Sequence, residues 1–102
     1  MLHVAVTPTQ LEEFCKRWQV SEFALFGSVL RDDFRPDSDV DVLVTFAPAA
    51  HPTLFDLARM QRELKTLFGR NVDLLTRRGV EASRNRVRRD AILFSAETLY
   101  VT

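Results

Sequence analysis

The sequence predicts a small α/β fold, a sheet with helices packed on it, and three observations predict it. Short apolar runs at Phe23–Phe26, Asp39–Phe46 and Asn71–Thr76 have strand length and are bounded by Gly27, by the prolines near 48 and by Gly69. Around them, Leu11, Phe14, Cys15 and Trp18, and then Leu57, Met60, Leu64, Leu67 and Phe68, recur at helical spacing. The length of 102 residues allows one domain, spanning 1–102, with a single core and no second domain to grip a large substrate. The resulting order α-β-α-β-α-β-α is that of helices layered on a sheet.

Thr9-Gln10-Leu11-Glu12 matches a capping box, so a first helix is expected over Thr9–Trp18 with Glu12, Glu13, Lys16 and Arg17 facing out. Phe23–Phe26 reads as a buried strand ended by Gly27. Ser28 then caps a short helix through Phe34, which Pro36 closes. In the next strand Asp39, Asp41 and Leu43 fall on one face, while Val40, Val42 and Val44 go to the core. After a proline-containing loop, Thr53-Leu54-Phe55-Asp56 offers a second capping box for a long amphipathic helix stopped near Gly69. Beyond Gly79 the pattern weakens: Val80, Val87, Ala91 and Ile92 point to a basic helix, and Thr98–Val101 to an edge strand or an extended tail.

Fourteen basic and fourteen acidic residues leave no net charge, which excludes a general nucleic-acid or anionic-membrane binder held by bulk electrostatics. The charge is nevertheless segregated. Arg77, Arg78, Arg84, Arg86, Arg88 and Arg89 crowd one segment, whereas Asp32, Asp33, Asp37, Asp39 and Asp41 form an acidic one suited to a divalent cation. Cys15 is the one cysteine and sits on an apolar helical face, so it reads as a buried structural thiol. The N-terminus lacks the basic start of a signal peptide and no apolar run approaches a membrane span, so a soluble cytoplasmic protein is expected.

The chemistry concentrates in two motifs and one outlying acid. Gly27 lets a backbone approach a phosphate, Ser28 offers its N–H and hydroxyl at a helix start, and Arg31 lies one turn further on. Asp39 and Asp41 alternate onto one strand face with Cα atoms about 6.5 Å apart, close enough to share one metal or bracket two. Asp73 sits in the apolar run Val72-Asp73-Leu74-Leu75, where a carboxylate needs a compensating charge; an adjacent strand would bring it to the same metals. Hard oxygen ligands favour magnesium or manganese over zinc. In two-metal phosphoryl chemistry one ion activates the attacking oxygen and the other stabilises the leaving group.

Taken singly, each piece also has an ordinary structural reading. Gly27–Ser28 alone is a turn and a helix cap, Arg31 a solvated helical residue, and Asp73 an edge position. Paired aspartates at a strand start also cap turns. A calcium loop fails, because Val42 stands where glycine is required and Pro48 where the closing glutamate belongs. His3 and His51 have no partner pattern and read as surface residues. Only the combination, in this order, points to nucleotidyl transfer.

Together, Gly27-Ser28-Val29-Leu30-Arg31, Ser38-Asp39-Val40-Asp41-Val42-Leu43-Val44 and Val72-Asp73-Leu74-Leu75 closely resemble the minimal nucleotidyltransferases of the DNA polymerase beta superfamily. The resemblance covers nearly the whole chain. It implies a small nucleotidyltransferase fold with a mixed sheet of three to four strands. It further implies that Gly27 and Ser28 bind a triphosphate and that Asp39, Asp41 and Asp73 carry magnesium as two ions. Arg31 lies where the family often has an arginine in the same short helix, although the commoner Ala-Arg-Gly is here Leu30-Arg31-Asp32. The family pairs with a small helical HEPN-domain protein in toxin–antitoxin modules. The resemblance thus implies an antitoxin that transfers AMP from ATP to a toxin tyrosine. Two alternatives stand beside it: an antitoxin that neutralises by binding alone, and transfer to a small molecule of the aminoglycoside type.

Overall fold

The computed structural model describes residues 6–27 and 39–102. The expected helix over Ser28–Phe34 lies outside the described residues, as do Ser28, Arg31 and His3. A first helix, α1 (Pro8–Trp18), leads into strand β1 (Val20–Phe26); β2 (Val40–Phe46) follows, then α2 (Leu54–Phe68) and β3 (Val72–Thr76). Two helices, α3 (Arg77–Glu81) and α4 (Arg86–Ser95), and a last strand β4 (Glu97–Val101) complete it.

The cap of α1 is Thr7, not Thr9. Thr7 accepts from the Gln10 N–H and donates its own N–H to Gln10 Oε1, a complete capping box. Pro8 decides between the two threonines: it disfavours the helical region for the residue before it, leaving Thr7 in the extended conformation a cap needs, and it belongs in the first turn. The box at Thr53 and Asp56 forms as expected, and Gly69 ends α2 in the left-handed region at φ +69°. β1 begins at Val20, three residues before the apolar run, because its first residues are half polar.

β2 pairs with β1 antiparallel and with β3 parallel, and β4 adds antiparallel to the free edge of β1, giving the order β3-β2-β1-β4. The mixed sheet therefore has four strands. The parallel pair is joined through α2, as a parallel pair requires. The expected basic C-terminal helix is two helices: Thr76 caps the first through the Gly79 N–H, and Asn85 recaps the second through the Arg88 N–H. The stretch after Asp90 packs on this sheet, and the Thr102 N–H donates to the Ser21 carbonyl.

Helices cover both faces. Leu11, Phe14 and Cys15 of α1 and Met60, Leu64 and Phe68 of α2 bury against Phe23, Leu25, Val40, Val42, Val44 and Val72. Phe14 and Phe23 meet edge to face at 6.0 Å. On the opposite face Val80 of α3 and Ile92 of α4 pack on Ala24, Phe26 and Leu43. Trp18 Nε1 donates to Glu63 at 2.7 Å, and Arg17 pairs with the same carboxylate, tying α1 to α2. Arg77 does not join the basic surface: it bonds Thr45 Oγ1 at 3.1 Å and Glu22 at 3.3 Å, clamping the sheet.

Candidate active site

Strand direction gathers the chemistry at one end of the sheet. Because β1 and β2 are antiparallel, the last residue of β1 lies beside the start of β2, with Phe26 opposite Asp41. Because β2 and β3 are parallel, they start at the same end, with Val40 opposite Val72 and Asp41 opposite Asp73. Gly27, Asp39, Asp41 and Asp73 thus share one rim of three adjacent strands. Residues opposite each other in a ladder project to the same face. The alternation that sends Val40, Val42 and Val44 into the core turns Asp41, and Asp73 with it, to the face that carries Leu43. Asp41 is half-buried, whereas Asp39 and Asp73 are exposed.

Gly27 is in the left-handed region at φ +76°, and a Cβ built on it would lie 2.3 Å from Asp41 Oδ2. The carboxylate therefore occupies the space any other residue would fill, so the glycine is required twice over, by its backbone and by its neighbour. Asp41 titrates above its ordinary value. Burial is the larger cause, the negative charges of Asp73 and Asp39 add to it, and the Arg88 guanidinium partly opposes them. Arg88 belongs to α4, one turn before buried Ile92, on the sheet face that Asp41 shares.

Do these residues fit a divalent cation? Among the described residues no three acidic, histidine or cysteine side chains close on one point as a finished cage. The donor set is nevertheless all carboxylate oxygen, the choice of magnesium or manganese. Asp41 is held among like charges in a partly desolvated place, and a +2 charge would relieve both penalties. The residues fit such an ion.

Beside the rim lies a cleft of about 570 Å³ between α2 and the start of β3, lined by Asp39, Asp73, Asn71, Gln61, Arg62 and Lys65 among others. Gln61 donates to the Val72 carbonyl at 2.9 Å and fixes the helix over the strand. The sequence reading missed Arg88, Arg62 and Lys65 as parts of this region. Arg62 and Lys65 stand three apart on α2 and so share a helix face, a usable signal; nothing in the sequence placed α4 over Asp41. His51 is exposed, as expected. Cys15 is fully buried, and burial pushes its thiol up to about 12.

The sequence matches the nucleotidyltransferase domain family over residues 8–97. It is 34% identical over 71 residues to the protein adenylyltransferase MntA of Thermococcus cleftensis, a match spanning 70% of each chain. A solved minimal nucleotidyltransferase superposes with a TM-score of 0.67 at 34% identity, covering 88% of this chain and 86% of that one. The solved complex of a tri-AMPylated HEPN toxin of Shewanella oneidensis with an MNT antitoxin matches with a TM-score of 0.64 over 93% of this chain and 70% of that one; at 18% identity the likeness is one of fold. No helix among the described residues is long and apolar enough to cross a membrane. With its match running through both aspartate strands, the chain belongs to the nucleotidyltransferase domain family.

Proposed function

We propose that this nucleotidyltransferase is a magnesium-dependent protein adenylyltransferase of the cytoplasm that acts as an antitoxin, moving AMP from ATP to a tyrosine of a partner HEPN-domain toxin. The observation that carries the reading is the register that sets Asp41 opposite Asp73 while Gly27 leaves room for the Asp41 carboxylate. Similarity to a protein adenylyltransferase and the fold shared with an MNT antitoxin support it. In this reading Gly27, with Ser28 and Arg31, holds the triphosphate. Asp39, Asp41 and Asp73 hold magnesium, two ions in the family's manner. Bound magnesium supplies charge neutralisation at the phosphates and acidifies the attacking hydroxyl. The tyrosine oxygen attacks the α-phosphorus, the bond to the β-phosphate oxygen breaks, and pyrophosphate leaves. The phenolic proton passes to the carboxylate side of the rim, where Asp73 is exposed to receive it.

The test is incubation with α-labelled ATP, magnesium and the co-expressed partner, beside Asp39→Asn and Asp73→Asn. Label on the partner with the native chain and none with the variants is the expected result. Unchanged labelling by either variant sinks the reading.

A second reading, neutralisation by binding alone, is favoured by α4. Val87 and Phe94 are 82% and 96% exposed on one side of that helix, with exposed Ala91 between them. An apolar stripe of this kind suits a docking surface for a protein partner. Under this reading Asp39→Asn still neutralises the toxin, while Phe94→Asp does not.

A further inference from the structure

Asp73 stands on the strand that closes the sheet, and among the described residues nothing pairs with the outer side of that strand. The Val40 N–H donates to the Asn71 carbonyl at 2.9 Å, which fixes the parity of the ladder. Asn71, Asp73 and Leu75 turn their backbone groups toward β2, so Val72, Leu74 and Thr76 turn theirs outward. Gln61 covers the Val72 carbonyl. The Leu74 N–H and carbonyl and the Thr76 N–H have no hydrogen-bond partner among the described residues. Two cavities follow one another along this edge: the 570 Å³ cleft touches Asn71, Val72 and Asp73, and a second of about 350 Å³ touches Leu74, Leu75 and Thr76. The second is lined by Leu57, which packs on one face of the sheet, and by Val80 and Ile92, which pack on the other, so it opens on the edge itself. A row of open backbone donors and acceptors beside an apolar groove suits an extended chain. A second copy of the same edge is a poor occupant, because antiparallel pairing about Leu74 would close each Asp73 carboxylate against the other copy's Leu75.

The sheet order says what that chain is. In an in-line displacement the nucleophile and the leaving group lie on opposite sides of the phosphorus. With the triphosphate on Gly27 at the β1 flank, as the proposed function has it, the nucleophile arrives from the β3 flank. We propose that the acceptor protein lays an extended segment on the free edge of β3 as a fifth strand, with its attacking hydroxyl residue opposite Asp73 and an apolar residue two positions away opposite Leu75. Residues opposite each other in a ladder share a face, so this register turns the hydroxyl to the face that carries Asp41 and Asp73 and seats the apolar side chain in the 350 Å³ cavity. Specificity then comes from the spacing of two side chains, and affinity from main-chain hydrogen bonds to Leu74 and Thr76.

Nine-residue peptides titrated into the ¹⁵N-labelled full chain test this by NMR. Each holds a central tyrosine and a leucine two positions away, before it in one peptide and after it in the other, with serine and threonine elsewhere. Binding of at least one is expected, with slowed exchange of the Leu74 and Thr76 amides and about tenfold weaker binding once its leucine is aspartate. N-methylation of the peptide backbone reads the strand pairing without touching the fold of the chain. In an added strand only alternate residues bond to β3, so a methyl on the residue between tyrosine and leucine and a methyl on those two residues must differ in effect. Loss from the middle position alone means antiparallel addition, and loss from the flanking positions alone means parallel addition. No binding of either peptide, unchanged exchange at Leu74 and Thr76, or equal effects of N-methylation at both parities overturns the proposal. The labelled-ATP assay on the co-expressed partner separates this from the parent reading. Label on the partner without strand-like binding leaves adenylyl transfer standing and removes the edge; strand-like binding without label leaves the edge and removes the transfer.

Discussion

Gly27 and Asp41 constrain each other more tightly than either motif alone implies. A methyl group at position 27 meets Asp41 Oδ2 at 2.3 Å and also strains a backbone at φ +76°. The backbone strain alone costs about 1 kcal/mol. Displacing the carboxylate costs more in function, since a misplacement of about 1 Å reduces a reaction about a hundredfold. Gly27→Ala is therefore expected to stay folded by circular dichroism while losing about two orders of magnitude in nucleotidyl transfer; full activity would show that Asp41 does not work from this position. The sequence showed which residues carry charge and which turn is glycine-dependent, but not that one fills the other's space, because that contact joins two strands. Cys15 gives the opposite case, a residue read correctly because helical spacing alone put it inside. Its thiol is raised to about 12, so the folded state holds a proton that the unfolded chain releases at about 8.5. Its stabilising contribution is complete below about 8.5 and is lost as pH rises toward 12. Urea melts across that range should fall less steeply for Cys15→Ala than for the native chain, and parallel curves would contradict the burial.

At the scale of elements, caps decided where the sequence was legible. The helix of Leu57 to Phe68 was marked at both ends, by Thr53 with Asp56 and by Gly69, and it forms between those marks. The first helix offered two threonines, and the expected cap, Thr9, was displaced by Thr7 because Pro8 restricts its own predecessor. Thr7→Ala should then cost about 1 kcal/mol of stability in chemical denaturation, while Thr9→Ala should stay within about 0.5 kcal/mol. A reversed ranking would restore the Thr9 cap. The region after Gly79 was least legible, and its composition explains why. Arginines mask the apolar period there, and Val87 and Phe94 are apolar residues that face out, so a reading based on burial assigns them to the wrong side of α4.

For the whole molecule, topology turns separate motifs into one site. Local signals gave the strands and the crossover through α2, but the placing of β4 against β1 rests on pairing across most of the chain, including a register shift at Phe23/Ala24, which no local pattern reports. The convergence of Asp41 and Asp73 was expected from the sequence on the condition that their strands are neighbours, and the parallel register meets that condition. The cluster this creates works against the fold. Burial and the charges of Asp73 and Asp39 raise Asp41, so its ionised form destabilises the native state at neutral pH. Asp41→Asn removes that penalty and should raise the melting temperature in the absence of metal. Magnesium should do the same for the native chain: at ten times its dissociation constant, a ligand that binds only the folded state adds about 1.4 kcal/mol. For a domain of this size that is a rise of several degrees. Thermal unfolding of both proteins, with magnesium and with chelator, separates the terms. The native chain should gain stability from magnesium, the Asp41→Asn chain should start higher and gain little, and calcium or magnesium shifting both equally would mean that the ion does not bind at the rim.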